Sequence, residues 1–116
     1  MEQKIAYLET EKRKYPLVFN LNVMEEIQEI YGSMQNWADK CESGDEPNIK
    51  DLKNGIMAMI NEGIDILNEE SDTKEPFVTS KQLGRIITEI GFAKVIEKIK
   101  EVQIDSTKTE EESKNE

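Results

Sequence analysis

The side chains in this sequence that could do chemistry are mainly carboxylates, and two groups of them lie close together along the chain. The first group is Glu69, Glu70, Asp72 and Glu75, and the second is Asp39, Glu42, Asp45 and Glu46. Paired carboxylates can act as general acid and base, and acidic loops can bind Ca²⁺. The segment DEPNIKD, however, lacks the alternating ligands, the fixed glycine and the final glutamate of a calcium loop. We therefore predict that both groups are solvated loop charges.

Nucleophilic and metal-dependent chemistry lack their usual residues. Cys41 is the one cysteine, and the chain contains no histidine. A Cys–His nucleophile is therefore excluded, and the commonest general base and transition-metal ligand are missing. The six glycines occur singly, so the chain has no glycine-rich phosphate loop. We predict a protein that is not an enzyme, with no catalytic residues, no cofactor and no metal.

Length, composition and charge narrow the class of protein. A chain of 116 residues corresponds to one domain, and 36% hydrophobic beside 34% charged residues predicts a small core. The net charge of −10, from 25 acidic and 15 basic side chains, argues against broad contact with nucleic acid or an anionic membrane. No apolar run approaches the ~20 residues of a membrane span, and the first residues lack a signal-peptide core. With one cysteine and no internal disulfide, we expect a cytoplasmic protein.

A hairpin followed at once by a helix is predicted near the N-terminus. In YPLVFNL the side chains of Tyr15, Leu17, Phe19 and Leu21 alternate with Pro16, Val18 and Asn20, which is the period of a strand. With the apolar segment at residues 5–8, this pattern predicts an antiparallel hairpin over residues 4–21. Pro16 cannot donate to a ladder, which places it at a strand start or an edge. Asn22, followed by Glu25, is predicted to cap the next helix and to let Leu21 and Val23 enter one core.

Helical periodicity and capping residues predict the rest of the domain. The predicted helices span about 23–31, 34–40, 49–69, 80–90 and 92–102. Their predicted caps and stops are Gly32, Ser33, Asn48, the pair Thr79 and Gln82, and Gly91. Residues 105–116 contain no apolar side chain and are predicted to be a disordered acidic tail. The predicted fold is α+β, mainly α: a single domain over residues 1–104 with a short N-terminal β-hairpin packed on four to five helices.

The predicted helix at 49–69 has an unusually wide apolar face. Its apolar positions cover about 180°, whereas about 100° is usual for a helix on the surface of a domain. The helix is therefore either central to the fold or in contact with a second body. Methionine adapts to varied partners, so the edges of this face form the predicted partner-binding surface. The candidate partner-binding residues, including one aromatic from the second helix, are Met57, Met59, Ile60, Ile64, Ile66 and Trp37.

Two further features of the helices have two interpretations each. Trp37 and Tyr31 either form an exposed partner-binding spot or pack in the core at the hairpin end. Gly55 and Gly63 lie eight residues apart in the long helix. They either allow close approach by another helix or are simply tolerated, at about 1 kcal/mol each.

Residues 79–100 resemble a helix-turn-helix unit, with two short helices around a glycine. Residues 80–100 contain five basic and two acidic side chains, a balance of +3. The second helix, however, offers mostly Val, Ile, Lys and Glu, where a recognition helix presents Arg, Asn or Gln to base edges. A small DNA-binding regulator using residues 79–100 is therefore an alternative function. An acidic inhibitor or adaptor of a host protein is another.

The segment KYPLVFNLNVMEEIQEIYGSMQNWADK resembles a known family. It is similar to the N-terminal region of the tail assembly chaperones of long-tailed, siphovirus-type phages and prophages of Gram-positive bacteria. The resemblance continues through GIMAMINEGIDI, EPFVT and QLGRIITEIG and covers most of residues 4–104. The matching residues are Tyr15-Pro16-Leu17, Phe19-Asn20-Leu21-Asn22, Ile27, Tyr31-Gly32-Ser33 and Trp37.

The resemblance implies a non-enzymatic assembly factor in the cytoplasm of the bacterial host. Such a chaperone binds the tape measure protein and keeps this long, helical, apolar client soluble while tail tube subunits assemble around it. It is absent from the finished virion. The implied partners are the tape measure protein and, in addition, the tail tube protein or a second copy of the chain.

Overall fold

The computed structural model describes residues 5–42, 44–46 and 48–114, with side chains described up to Gln103. Two antiparallel strands come first, and helices joined by short loops follow in the described chain. The elements are β1 (Ala6–Glu9), β2 (Lys14–Leu17), α1 (Leu21–Tyr31), α2 (Met34–Glu42), α3 (Ile49–Glu70), α4 (Ser80–Ile90) and α5 (Phe92–Lys114). The predicted α+β, mainly α class with an N-terminal hairpin is confirmed. The predicted first residue of the hairpin, residue 4, lies outside the described residues.

The end of β2 is buried on both of its faces, whereas β1 keeps Tyr7 and Glu9 exposed. Tyr7 pairs with Pro16 in the two-stranded sheet, β1 packs against α5, and β2 packs against α3. Residues 16–19 are consecutively buried, so the predicted alternation does not hold there. Leu21, expected in the core, is 71% exposed at the first position of α1. The consecutive burial results from the packing of β2 against α3, and Leu21 is exposed because α1 begins at this residue.

The absence of a side chain at Gly63 of α3 allows this close approach of the hairpin. A β-carbon at Gly63 would lie 2.8 Å from Cβ of Pro16, so only glycine fits. Four residues earlier on α3, the carbonyl oxygen of Met59 accepts a hydrogen bond from the backbone N–H of Val18 at 3.3 Å. Gly63 therefore serves close packing, but the approaching element is a strand and not the predicted helix.

The cap of α1 is Asn20, not the predicted Asn22. The side-chain Oδ1 of Asn20 accepts from the backbone N–H of Val23 at 3.2 Å, so α1 begins two residues earlier than predicted. Asn22 instead donates its amide N–H to Oε2 of Glu62 at 2.9 Å. This start places Val23 and Ile27, one turn apart, on the buried face and leaves the first helical residue outside.

The other predicted caps and stops are confirmed. Ser33, Asn48 and Thr79 each accept a backbone N–H from the residue three positions on, at 3.0 to 3.2 Å. Gln82 completes the capping box by accepting from the backbone N–H of Thr79 at 2.9 Å. These local bonds satisfy donors that the first turn of a helix leaves free.

Two glycines turn the chain between helices. Gly32 ends α1 at φ +91°, and Gly91 separates α4 from α5 at φ +104°. Side chains disfavour this region of backbone space, so glycine is the residue that fits. The turn at Gly91 lets Leu83 and Ile86 on α4, and Val95 on α5, enter the same core from helices of different direction.

Helix α3 is the centre of the fold, which confirms the first interpretation of its wide apolar face. It packs against β2, α1, α2 and α4. Because neighbours surround it on several sides, an arc of about 180° is needed where a surface helix needs about 100°. Its buried residues are Leu52, Gly55, Ile56, Ala58, Met59, Ile60, Gly63 and Ile64.

The last helix is longer than its predicted span of 92–102. Helix α5 continues to Lys114, through most of the segment predicted to be a disordered tail. Residues 92–116 contain neither glycine nor proline, so no residue type interrupts the backbone hydrogen bonds of the helix. Val95, Ile99 and Val102 anchor α5 in the core. Residues 115 and 116 lie outside the described residues.

Candidate functional site

The six residues predicted to bind a partner occupy two different environments. Trp37, Met59, Ile60 and Ile64 are between 0% and 6% exposed and lie in the core. Met57 and Ile66 are half-buried at the surface of α3. Met59, Ile60 and Ile64 are therefore out of reach of a partner in the folded monomer, because neighbouring elements enclose that face of α3. Trp37 lies on α2 and, although almost fully buried, lines a hollow between α2 and α5. Met57 and Ile66 remain accessible for partner binding.

Trp37 joins α2 to α3 through a glycine and a carbonyl group. A β-carbon at Gly55 would lie 2.2 Å from Cζ2 of the Trp37 ring, so the indole occupies the place of a side chain there. The indole N–H donates to the backbone carbonyl of Asp51 at 2.8 Å. The core interpretation of Trp37 is thus correct, but its place was expected at the hairpin end. The hairpin instead meets α3 at Gly63, about 12 Å further along the axis.

Tyr31 is bound to the same part of α3. Its hydroxyl donates to Oδ1 of Asp51 at 2.7 Å and accepts from Nδ2 of Asn54 at 2.9 Å. Burial raises the pKa of Tyr31 above its usual value of 10.0, and the hydrogen bond to Asp51 raises it further. Asp51 therefore fixes the end of α1 through its carboxylate and fixes α2 through its carbonyl.

Beside Trp37, an open apolar hollow of about 280 Å³ lies between α2 and α5. We call it the α2–α5 groove. On the α2 side the lining includes one small residue, Ala38. The lining residues are Trp37, Ala38, Cys41, Glu42, Leu52, Phe92, Ile96, Ile99, Lys100 and Gln103.

The groove continues past Leu52 and Phe92 into a second hollow of about 320 Å³. The two hollows share these two residues, which form the boundary between them. Ile49, 51% exposed at the first position of α3, contributes a further apolar side chain. The remaining lining residues of the second hollow are Lys53, Gly84, Ile87 and Thr88. The second hollow therefore adjoins the α2–α5 groove at Leu52 and Phe92.

The groove is suited to apolar contact rather than to catalysis. Burial, with a smaller contribution from the carboxylates of Asp51 and Glu42, raises the pKa of the Cys41 thiol from 9.0 to about 11. The thiol is therefore protonated at neutral pH, and a thiol in that state is a poor nucleophile and metal ligand. Among the described side chains, no buried nitrogen or oxygen atom is without a hydrogen-bond partner. Charge enters only at the rims, through Glu42 and Lys100.

Both predicted carboxylate groups are exposed to solvent, as expected. In the second group the carboxylate of Asp39 accepts from Gln35 at 2.9 Å, and in the first Glu75 lies 3.7 Å from the guanidinium of Arg13. Within residues 5–42, 44–46 and 48–114, no set of three or more His, Cys, Asp or Glu side chains is placed to hold a metal ion. The exposed carboxylates are Glu69, Glu70, Asp72, Glu75, Asp39, Glu42, Asp45 and Glu46.

The geometry of residues 79–100 differs from that of a helix-turn-helix unit. A single residue, Gly91, joins α4 to α5, whereas a helix-turn-helix usually has a turn of three or four residues. One face of α5 is committed to the core through Val95 and Ile99. The basic side chains Lys81, Arg85 and Lys94 are exposed on these helices.

Of the residues that line the groove, only Trp37 was among those predicted to bind a partner. The other lining residues, such as Phe92, Ile96, Ala38 and Cys41, were not predicted as site residues. The signal that could have found them is a spacing of four, three and four residues from Phe92 to Gln103. Such spacing gives one apolar stripe on a helix, but only the packing shows which part of it stays open.

Comparison of the chain with protein-family models, with curated proteins and with solved structures gave no significant match. Within the described part of the chain, none of the helices has both the length and the apolar character needed to cross a membrane. Function must therefore be inferred from the sequence resemblance and from the geometry of the α2–α5 groove.

Proposed function

We propose that this protein is a phage tail assembly chaperone, which binds the tape measure protein and keeps it soluble while tail tube subunits assemble around it. The observation that supports this most directly is the open, apolar α2–α5 groove on a small and strongly acidic domain. The resemblance of residues 4–104 to that family supplies the identity of the client. The chaperone acts in the cytoplasm of the bacterial host and is absent from the finished virion.

A chaperone for an apolar helical client needs an apolar contact surface and a charged exterior. The groove supplies the first, through half-buried Phe92 and Ile96. The net charge of −10 supplies the second, since chaperone–client complexes that carry the same charge repel one another. Exposed Glu25, Glu26 and Glu29 on α1 place part of that charge at a distance from the groove lining. This division leaves the groove free for the client.

The test is co-expression of this protein with the tape measure protein, the long apolar helical product of the neighbouring gene. We expect the soluble fraction of the tape measure protein to rise and the two proteins to purify together. A co-expressed acidic protein of similar size and charge is the control for a general effect of charge. A tape measure protein that remains in the pellet, with the chaperone in molar excess, would contradict the proposed function.

A further inference from the structure

We infer that the α2–α5 groove docks one amphipathic helical segment of about three turns, with an acidic residue facing Lys100 and a basic residue facing Glu42. The inference rests on the proposed function, because it names the kind of client segment that is bound and the site that binds it. It goes further in assigning the binding site on this chain and the length and charge pattern of the bound segment.

The walls of the groove have the spacing of a helix–helix seam. On α5 the lining positions are 92, 96, 99 and 103, with steps of four, three and four residues. This is the spacing of the core positions in a coiled coil, which accept the side chains of a neighbouring helix between them. On α2 the lining residues Ala38 and Cys41 are three residues apart, and Leu52 of α3 lies at the base. The groove therefore has the form of a helical bundle from which one helix is missing.

The length of the seam sets the length of the bound helix. Positions 92 and 103 are 11 residues apart, which is about 16 Å along a helix axis. A partner helix lying along α5 makes contact over the same distance, or about three turns. It would present apolar side chains at positions i, i+4, i+7 and i+11. Ala38 leaves room on the opposite wall for the largest of these side chains.

The chain's own segments do not supply such a helix. Residues 105–116 contain no apolar side chain, so they cannot present an apolar stripe to the groove. Among the described side chains, the large apolar ones exposed outside the groove and its adjoining hollow are Tyr7, Leu21, Ile30 and Phe77. Leu21 and Ile30 are nine residues apart on α1, and the other two are outside the helices. Among the described residues, the exposed apolar side chains outside the groove therefore do not form a stripe of the required spacing. The α5 stripe of a second copy is already a wall of its own groove, with Ile99 buried in the core, so the occupant is a helix of another protein.

The rim charges select the sequence and direction of that helix. Glu42 on α2 and Lys100 on α5 are exposed and lie on opposite sides of the groove. A helix with an acid on one flank of its apolar stripe and a base on the other meets both rim charges in one direction only. Such complementary rim charges affect specificity and association rate more than affinity.

Trp37 makes this inference directly measurable. It is the single tryptophan of the chain and it lines the groove. The probe is a synthetic 14-residue helical peptide with leucines at positions 2, 6, 9 and 13, a glutamate on one flank and a lysine on the other. Its control has the same composition with the leucines spread around the helix. We expect a saturable change of Trp37 emission with the first peptide and none with the control.

Two variants place the binding in the groove. Ala38→Phe fills the space between the walls and should abolish peptide binding, whereas Ala93→Phe, at an exposed position of α5 away from the groove lining, should leave it unchanged. Lys100→Glu should weaken peptide binding by about threefold. The same variant should bind a peptide whose flanking charges are exchanged as well as the wild type binds the first peptide. Lys94→Glu is the matched control, because it is exposed on α5 and does not line the groove. The Lys100 series decides the question if Ala38→Phe fails to fold.

The outcomes separate this inference from the proposed function. If the folded wild type ignores the striped peptide, or if Ala38→Phe binds it equally well, the inference is overturned. If wild type and Ala38→Phe both keep the tape measure protein soluble, the proposed function stands while the groove is excluded as its site. If the peptide binds in the groove but the tape measure protein stays insoluble, helix docking stands and the proposed function fails.

Discussion

The ring of Trp37 lies where a side chain at position 55 would be, with Cζ2 at 2.2 Å from the place of a β-carbon on Gly55. The indole N–H donates one turn earlier on α3, to the carbonyl of Asp51. A single aromatic side chain thus packs against α3 and satisfies its polar atom there, which is usual for a buried tryptophan. This contact holds α2 in place as one wall of the groove.

Gly55→Ala should therefore destabilise the protein. The new β-carbon displaces the Trp37 ring, and overpacking of a core costs about 1–3 kcal/mol, which outweighs the gain of about 1 kcal/mol from replacing a helical glycine by alanine. We expect a net loss of up to about 2 kcal/mol. The measurement is urea unfolding followed by circular dichroism, with Trp37 fluorescence as a second probe.

Gly84→Ala is the matched control for Gly55→Ala. A β-carbon at position 84 would lie 3.4 Å from Nζ of Lys53, the end of a flexible side chain that can move aside. The helix-propensity gain of up to about 1 kcal/mol should then appear as increased stability. Equal stability changes for the two alanine variants would show that the packing of Trp37 does not require the absence of a side chain at position 55.

Asn20 and Asn22 differ in what they stabilise, although both donate to Oε2 of Glu62, at 2.8 and 2.9 Å. Asn20 also caps α1, so Asn20→Ala should cost about 1 kcal/mol or more, the usual value of a helix N-cap. Asn22→Ala removes an exposed side-chain hydrogen bond and should cost less than about 0.5 kcal/mol. Urea unfolding of the two variants measures the difference, and a larger loss for Asn22→Ala would restore it as the cap.

The predictable parts of the fold depend on residues close together in the sequence. Thr79 and Gln82, or Asn48 and the N–H three residues on, form their cap within one turn, so their types and spacing are sufficient. Asn20 and Asn22 are chemically equal candidates, and the choice between them involves Glu62, 40 or more residues away. Leu21 was misplaced for the same reason, since the start of α1 decides which way it points.

The groove depends on packing that periodicity does not contain. The apolar stripe of α5 is readable from the spacing of Phe92, Ile96 and Ile99, but a stripe is equally consistent with complete burial. Its partial exposure results from the position of α2, which Trp37 and Gly55 determine. The wide apolar face of α3 is the opposite case. Some of its residues were predicted to bind a partner, and the central position of the helix accounts for their apolar character instead.

Cys41 should react slowly and in a pH-dependent manner. Its pKa is raised from 9.0 to about 11, mainly by burial, so at pH 8 the folded protein has about a hundredfold less thiolate than the unfolded chain. Alkylation by iodoacetamide should be slower in the folded protein by about that factor, and unfolding in urea should restore the rate. A folded-state rate equal to that of the unfolded chain would place the thiol in solvent.

The same shift predicts how Cys41 affects stability. Folding raises the pKa of Cys41, so the native state favours the protonated thiol. The resulting contribution to folding stability is fully present below pH 9.0. It is lost as the pH rises through about 11. Between pH 9.0 and about 11, the stability of the wild type relative to Cys41→Ala should therefore fall as the pH rises. A stability difference that does not change with pH would contradict this prediction.

Ile64 and Met57 separate the core of α3 from its accessible edge. Ile64 is 2% exposed, so Ile64→Asp buries an unpaired carboxylate and should cost about 4 kcal/mol or more, enough to unfold a small domain. Met57 is half-buried, and Met57→Asp can turn its carboxylate to water at a cost of about 1 kcal/mol. Circular dichroism and urea unfolding measure both values.

The pair also tests whether α3 takes part in partner binding. If Met57→Asp remains folded and still keeps the tape measure protein soluble, the edge of α3 is not part of the binding surface, and Ile66→Asp should behave in the same way. If it remains folded but loses the client, the binding surface includes this edge. A folded Ile64→Asp protein with near wild-type stability would contradict the central position of α3, because no neighbour could then enclose that side chain.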